Sequence, residues 1–129
     1  FQFHYLFKGM TAMENVDVAS MLSGEKIDDK ILEKLEIKEV MDHKVGELSG
    51  GHQQRVSIAR VLSKKPRIIF ADEPTGNLDK ETAELVMDVL MDYTKERGAG
   101  LLLVTHDESM EARCDVTFKI SDRILKEKV

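Results

Sequence analysis

The chain has a single cysteine, Cys114, among its 129 residues. One thiol forms no internal disulfide, so a reducing compartment is the expected setting and Cys114 reads first as a small apolar packing residue. No apolar run approaches the roughly 20 residues that cross a bilayer. No signal-peptide pattern is present either, so any tie to a membrane is expected to run through a partner. Charges of one sign never form a long block, and the net charge is −5. A nucleic-acid-binding surface usually carries a basic patch, which argues against that class of partner. There is no internal repeat and no low-complexity tract. What remains is a globular balance of 42% hydrophobic and 33% charged residues, in a length that suits one ordinary domain with a real core. The first residue is Phe1 and not Met; the aromatic opening Phe1-Gln2-Phe3-His4-Tyr5-Leu6-Phe7 reads as the interior of a fold.

Two textures follow one another. Residues 1 to about 65 are rich in helix formers. Thr11 can cap a helix over Ala12 to Leu22 that Ser23-Gly24 ends. Asp28 can start a second helix with Ile31, Leu32, Leu35 and Ile37 as its apolar stripe. A polar stretch from Asp42 to Glu47 follows. Ser49-Gly50-Gly51 then precedes a third helix carrying Val56, Ile58, Ala59 and Leu62, which Pro66 is expected to stop. From Arg67 the pattern becomes α/β. Ile68 to Ala71 is a short continuous apolar run, as in a strand buried on both faces. Lys80 to Arg97 is an amphipathic helix with Leu85, Val86, Val89, Leu90 and Tyr93 on one side, ended by Gly98 and Gly100. Leu101 to Val104 reads as a second buried strand beside the first. A short helix lies around Glu108 to Ala112, and two strands, 116–120 and 123–126, are joined by a turn at Ser121-Asp122. The expected division is a helical subdomain over 1–65 and part of a parallel-sheet core over 66–129.

Four stretches can carry chemistry. In Leu48-Ser49-Gly50-Gly51-His52-Gln53-Gln54-Arg55, two glycines allow close backbone approach, and the helix behind them points free N–H groups and its positive end at that spot. This suits a phosphate; an ordinary capped helix with a Gly-Gly lead-in reads the same. In Ile68-Ile69-Phe70-Ala71-Asp72-Glu73-Pro74, two carboxylates sit where a buried strand ends, the usual ligand edge of an open α/β sheet. Asp72 can hold Mg²⁺, and Glu73 can orient and deprotonate a water. A solvated loop is the bland alternative. His106, at the end of the second strand, can donate to a phosphate or serve structurally. Gly76-Asn77-Leu78-Asp79 is a turn with Asp79 as helix cap.

Each signal is weak alone; their order and spacing are not. Leu48 to Arg55 resembles the signature motif of ABC-type ATPases, and Ile68 to Pro74 resembles their Walker B strand with its catalytic glutamate. Gly76 to Asp79 resembles the D-loop and His106 the switch histidine. Gln2 stands like the Q-loop glutamine, followed by the expected Thr-Ala-Met-Glu-Asn-Val from Thr11 to Val16. The run from Ala71 to Asp79 further resembles the branch that drives lipoprotein release and macrolide-type export. Two departures stand out. His52 occupies a position where the family often has Glu or Gln, with little damage expected. No G-x-x-x-x-G-K-[ST] occurs anywhere; the nearest pair is Gly24-Glu25-Lys26. In the family that P-loop and an aromatic adenine platform precede the Q-loop, so the chain resembles the part of an ABC ATPase that follows them.

The resemblance implies a P-loop NTPase-like α/β fold: a helical subdomain plus the C-terminal part of a mainly parallel sheet, without Walker A. It implies a head-to-tail dimer of ATPase subunits with ATP and Mg²⁺ sandwiched between them. Asp72 and Gln2 would serve the metal, and Glu73, His106 and Gln2 the reaction. Ser49, Gly50, Gly51 and Gln53 would contact nucleotide across the interface, and Asp79 would cross it. Residues near Phe1 to Leu22 would couple to transmembrane permease subunits, placing the protein on the cytoplasmic face of the cell membrane. The 129 residues alone are expected not to hydrolyse ATP, and their open strand edges are expected to favour oligomers. Two other readings are a non-catalytic module docking on a membrane partner and a soluble ABC ATPase outside transport.

Overall fold

A computed structural model describes residues 5–128. Nine regular helices and strands form along these residues, and each begins where local chemistry dictates. Helix α1, Ala12–Ser23, starts with a full capping box: the Thr11 hydroxyl accepts from the Glu14 N–H, and the Glu14 carboxylate accepts from the Thr11 N–H. It ends at Gly24, whose φ of 72° is left-handed. Helix α2, Asp29–Lys34, is capped by Asp28. It is shorter than its apolar stripe. Leu35 and Ile37 are buried but lie beyond its end, because the backbone turns left-handed at Glu36, φ 53°. Two 3-10 turns, Lys38–Val40 and Val45–Glu47, fill the stretch that looked merely polar, and Val45 is wholly buried there.

Helix α3, Gly50–Leu62, is capped by Ser49. It stops short of Pro66, at Leu62. Ser63 closes it through its own hydroxyl to the Arg60 carbonyl, and Lys65 then turns left-handed at φ 50°. Strand β1, Ile68–Asp72, pairs parallel with β2, Gly100–Val104, in the register Ile68–Gly100 to Asp72–Val104. Between them runs α4, Lys80–Arg97, capped by Asp79 and ended by Gly98, which completes a β-α-β unit. A short helix α5, Glu108–Glu111, leads to an antiparallel hairpin of β3, Thr117–Ser121, and β4, Ile124–Lys128. Its turn falls one residue later than the sequence suggests, on Asp122 and Arg123, both left-handed at φ 53° and 62°. Two consecutive positive φ angles match the twist of a two-residue hairpin.

One apolar cluster unites both stretches of the chain: Ala12, Val16 and Leu32 meet Val56, Ala59 and Leu62 of α3, Ile69 of β1, and Val86, Leu90 and Tyr93 of α4. This core covers only one face of the parallel pair. Ile69 is 4% exposed, whereas Phe70 is 65% exposed, and Ile68, Leu102 and Val104 share that open face. The sequence expectation of strands buried on both faces is therefore corrected. The apolar run is there, but the core that includes Ile69 of β1, with residues of α3 and α4, lies on one face, and Ile68 and Phe70 stay exposed on the other. No helix of the described residues is long and apolar enough to cross a membrane.

Candidate functional site

The site grows from the carboxyl end of the parallel pair. Register brings Asp72, the last residue of β1, beside Val104, the last of β2. The chain then leaves the sheet abruptly. Glu73 donates its N–H to the Val104 carbonyl at 2.8 Å and adopts a left-handed φ of 47°. A glutamate there is strained. The turn closes when the Gly76 N–H donates to the Glu73 carbonyl at 3.0 Å. A Cβ on Gly76 would come within 3.3 Å of that carbonyl oxygen, a tight approach that a larger residue would meet only by shifting the turn.

This backbone places the Glu73 carboxylate inward. Its Oε1 is buried and has no hydrogen-bond partner among the described residues. His106 Nε2 approaches that oxygen to 3.5 Å without a hydrogen bond, and Thr105 Oγ1 donates to Oε2 at 3.5 Å. The imidazole itself is 99% exposed. Buried acceptors are almost always paired, so an orphaned carboxylate oxygen in a half-open turn marks a place for a donor from outside. His106 is thus beside Glu73, and Asp72 ends β1 one residue before it. Gln2 lies outside the described residues.

The glycine-rich stretch sits beside this turn. Ser49 caps α3: its Oγ accepts the His52 N–H at 3.2 Å and shares a 2.8 Å hydrogen bond with His52 Nδ1. Partial burial, and next the Arg55 charge, hold the His52 pKa below its usual value. A Cβ added at Gly50 would meet open space, whereas one at Gly51 would touch Leu78 and Thr82. The Gln53 side chain braces the preceding loop by donating to the carbonyls of Val45 and Leu48, both at 3.1 Å. Asp79 caps α4, accepting from the Thr82 N–H and hydroxyl, and those two hydrogen bonds hold its pKa below the ordinary value.

A family model described as ABC transporter matches residues 1–76, more than half of the chain. The chain belongs to the ABC transporter family. It is 39% identical, over 98% of its length, to the ABC transporter ATP-binding protein YbbA of Escherichia coli K12, and 39% identical over 98% to LolD, the lipoprotein-releasing system ATP-binding protein of Alcanivorax borkumensis. It spans 58% of either relative. Among solved structures it resembles the dimeric post-hydrolysis state of the ATP-binding cassette MJ0796 bound to ADP and Pi. That match has a TM-score of 0.86 at 32% identity, covering 99% of this chain and 60% of that one. The fold is that of ABC ATPase cassettes.

Three residues near the site escape a motif-by-motif reading of an ABC sequence. Gln54, 4% exposed, donates to the Pro74 carbonyl at 2.7 Å and ties α3 to the turn after β1. Its position three and four residues before Ser57 and Ile58 put it on the buried face of α3, a periodicity the sequence did show. Arg55 reaches back to the carbonyls of Leu35 and Glu36, fixing the end of α2. Thr105 had no signal beyond standing between a strand and His106.

Proposed function

We propose that this chain is part of an ATP-binding and hydrolysing subunit that powers a transporter through membrane-spanning permease partners, working as a head-to-tail dimer. The observation that carries the reading is the Glu73 carboxylate: buried at Oε1 without a hydrogen-bond partner there, held by a strained turn at the end of a parallel strand and flanked by His106 and Thr105. That arrangement suits a base that receives a proton from an attacking water. As the water oxygen bonds to the γ-phosphorus, Glu73 takes its proton and the bond to the ADP oxygen breaks. His106 is exposed and within reach of the same turn, so its ring can steady the phosphate or the water.

The donor set also fits Mg²⁺. Asp72 ends β1 immediately before Glu73, and one carboxylate can suffice for Mg²⁺, which keeps water and phosphate oxygens for the rest. The described residues hold no cluster of three or more His, Cys, Asp or Glu that would build a full cage. When bound, the ion would neutralise charge on the phosphates, with Asp72 as its protein ligand and Gln2 as a second candidate.

Ser49, Gly50 and Gly51 stand at the start of a 13-residue helix and would donate to the γ-phosphate held by a second subunit. Gln53 shapes the loop that presents them, and Asp79 fixes the helix start next to the dimer interface. Tyr5, Phe7, Met21 and Leu22 are exposed apolar side chains at the two ends of the segment before and through α1. They support a docking surface for a permease on the inner face of the membrane, as expected of a protein without a spanning helix of its own among its described residues.

The test is ATP turnover by the intact subunit with Glu73→Gln. Turnover should vanish while an ATP-bound dimer accumulates in size-exclusion chromatography. Unchanged turnover would overturn the assignment.

A further inference from the structure

The two functional loops are joined by one buried hydrogen bond. Gln54 lies in the second turn of α3, five residues beyond Ser49. Its Nε2 donates to the Pro74 carbonyl at 2.7 Å, one residue beyond Glu73. The Glu73 carbonyl is already taken by the Gly76 N–H, so both carbonyls of the turn are fixed, one locally and one by α3. The contact continues alongside: the Cα of Gly51 faces Leu78 and Thr82, with 3.9 Å and 4.0 Å left for a Cβ. A shift of α3 as a body, carrying Ser49, therefore either breaks the buried bond or takes the turn with it.

We infer that Gln54 is a positioning residue that couples the two ATP sites of the dimer, by transmitting the position of Ser49, which reads one site, to Glu73, which works in the other. The inference rests on the functional reading above. The chemistry favours it over mere packing. An apolar side chain would fill the same space, and the space around it is already apolar, lined by Ile58, Val61, Ile69 and Leu90. What an apolar residue cannot do is satisfy the Pro74 carbonyl, whose burial without a donor is costly. A single directional bond between two elements has two states, made and broken, and a two-state contact is what coupling requires.

The experiment uses the intact subunit with ATP as the varied ligand. Gln54→Met keeps length and removes the donor. Turnover should fall about tenfold with KM changed less than about twofold, and cooperativity in ATP should fall to a Hill coefficient of about one. Gln54→Glu supplies the rescue: its buried carboxyl can donate to Pro74 only when protonated. Its activity relative to the wild type should therefore recover as pH falls from about 8 to about 6, while Gln54→Met stays flat. A purely structural glutamine gives a lower melting temperature with turnover per folded subunit and cooperativity intact in both variants, and that result overturns the coupling alone. A wild-type subunit that does not hydrolyse ATP overturns the functional reading itself, and the coupling with it.

Discussion

The backbone of Phe7 and the side chain of Asn15 satisfy one another in both directions. The Phe7 N–H donates to Asn15 Oδ1 at 2.8 Å, and Asn15 Nδ2 donates to the Phe7 carbonyl at 3.1 Å and to the Thr11 carbonyl at 2.9 Å. Asn15 is fully buried on α1. One side chain thus replaces the backbone ladder that a strand would have supplied to the entering segment. Asn15→Leu strands two backbone groups at Phe7, and the expected loss is about 2–3 kcal/mol in urea unfolding. The Phe7 amide should also lose its protection in hydrogen exchange; an amide protected as in the wild type would show that another group holds it.

The 129 residues contain no phosphate-cradling glycine-lysine loop, and that loop ordinarily holds the β- and γ-phosphates. The chain by itself should therefore give no heat in a calorimetric titration with Mg-ATP at micromolar concentrations, and no turnover. Saturable micromolar binding with phosphate release would show that Ser49, Asp72 and Glu73 suffice.

The open face of the β1–β2 pair presents Ile68, Phe70, Leu102 and Val104 to solvent, and both strands have unpaired edges among the described residues. Apolar faces and bare edges of this kind recruit further chains. The 129-residue chain should run as dimers or larger species in light scattering. Phe70→Lys with Leu102→Lys should shift it toward monomer without loss of helix content. A clean monomer before any substitution would sink this expectation.

His52 gives the protein a mild sensitivity to acid. Burial, then Arg55, lowers its pKa below the ordinary 6.5. The folded state therefore binds this proton less readily than the unfolded chain. The stability it contributes is complete above 6.5 and is lost as pH falls from there through the folded value. His52→Gln removes the titration and should flatten the melting-temperature profile between about pH 7 and pH 5. The Ser49 hydroxyl should feel the same change, because it shares a 2.8 Å bond with a nitrogen of the titrating ring.

Much of this was legible beforehand, because it is written in short-range chemistry. Thr11, Asp28, Ser49 and Asp79 all cap the helices their side chains suggest, and α4 runs between the two residues its periodicity marks. The parallel pairing followed from two apolar runs flanking an amphipathic helix. What was not legible depended on neighbours distant in sequence. An apolar run such as Ile68 to Ala71 fits a strand covered on one face or on two. The left-handed turn at Glu36 comes in the middle of an unbroken apolar pattern, and no glycine announces it. Gln54 hid inside a motif whose other letters drew the chemistry. Its partner, Pro74, is 20 residues away, and only the packing of α3 on β1 reveals the bond.

Glu73 keeps its left-handed φ of 47° without the freedom of glycine, a standing cost of about 1 kcal/mol or more. At a turn this tight, glycine or asparagine would be the comfortable choice. A design that sought only a durable scaffold would not put a glutamate there. The position therefore has two optima that cannot both be met, one for persistence and one for chemistry. A variant such as Glu73→Gly belongs to the first, a sturdier protein with nothing to accept a proton.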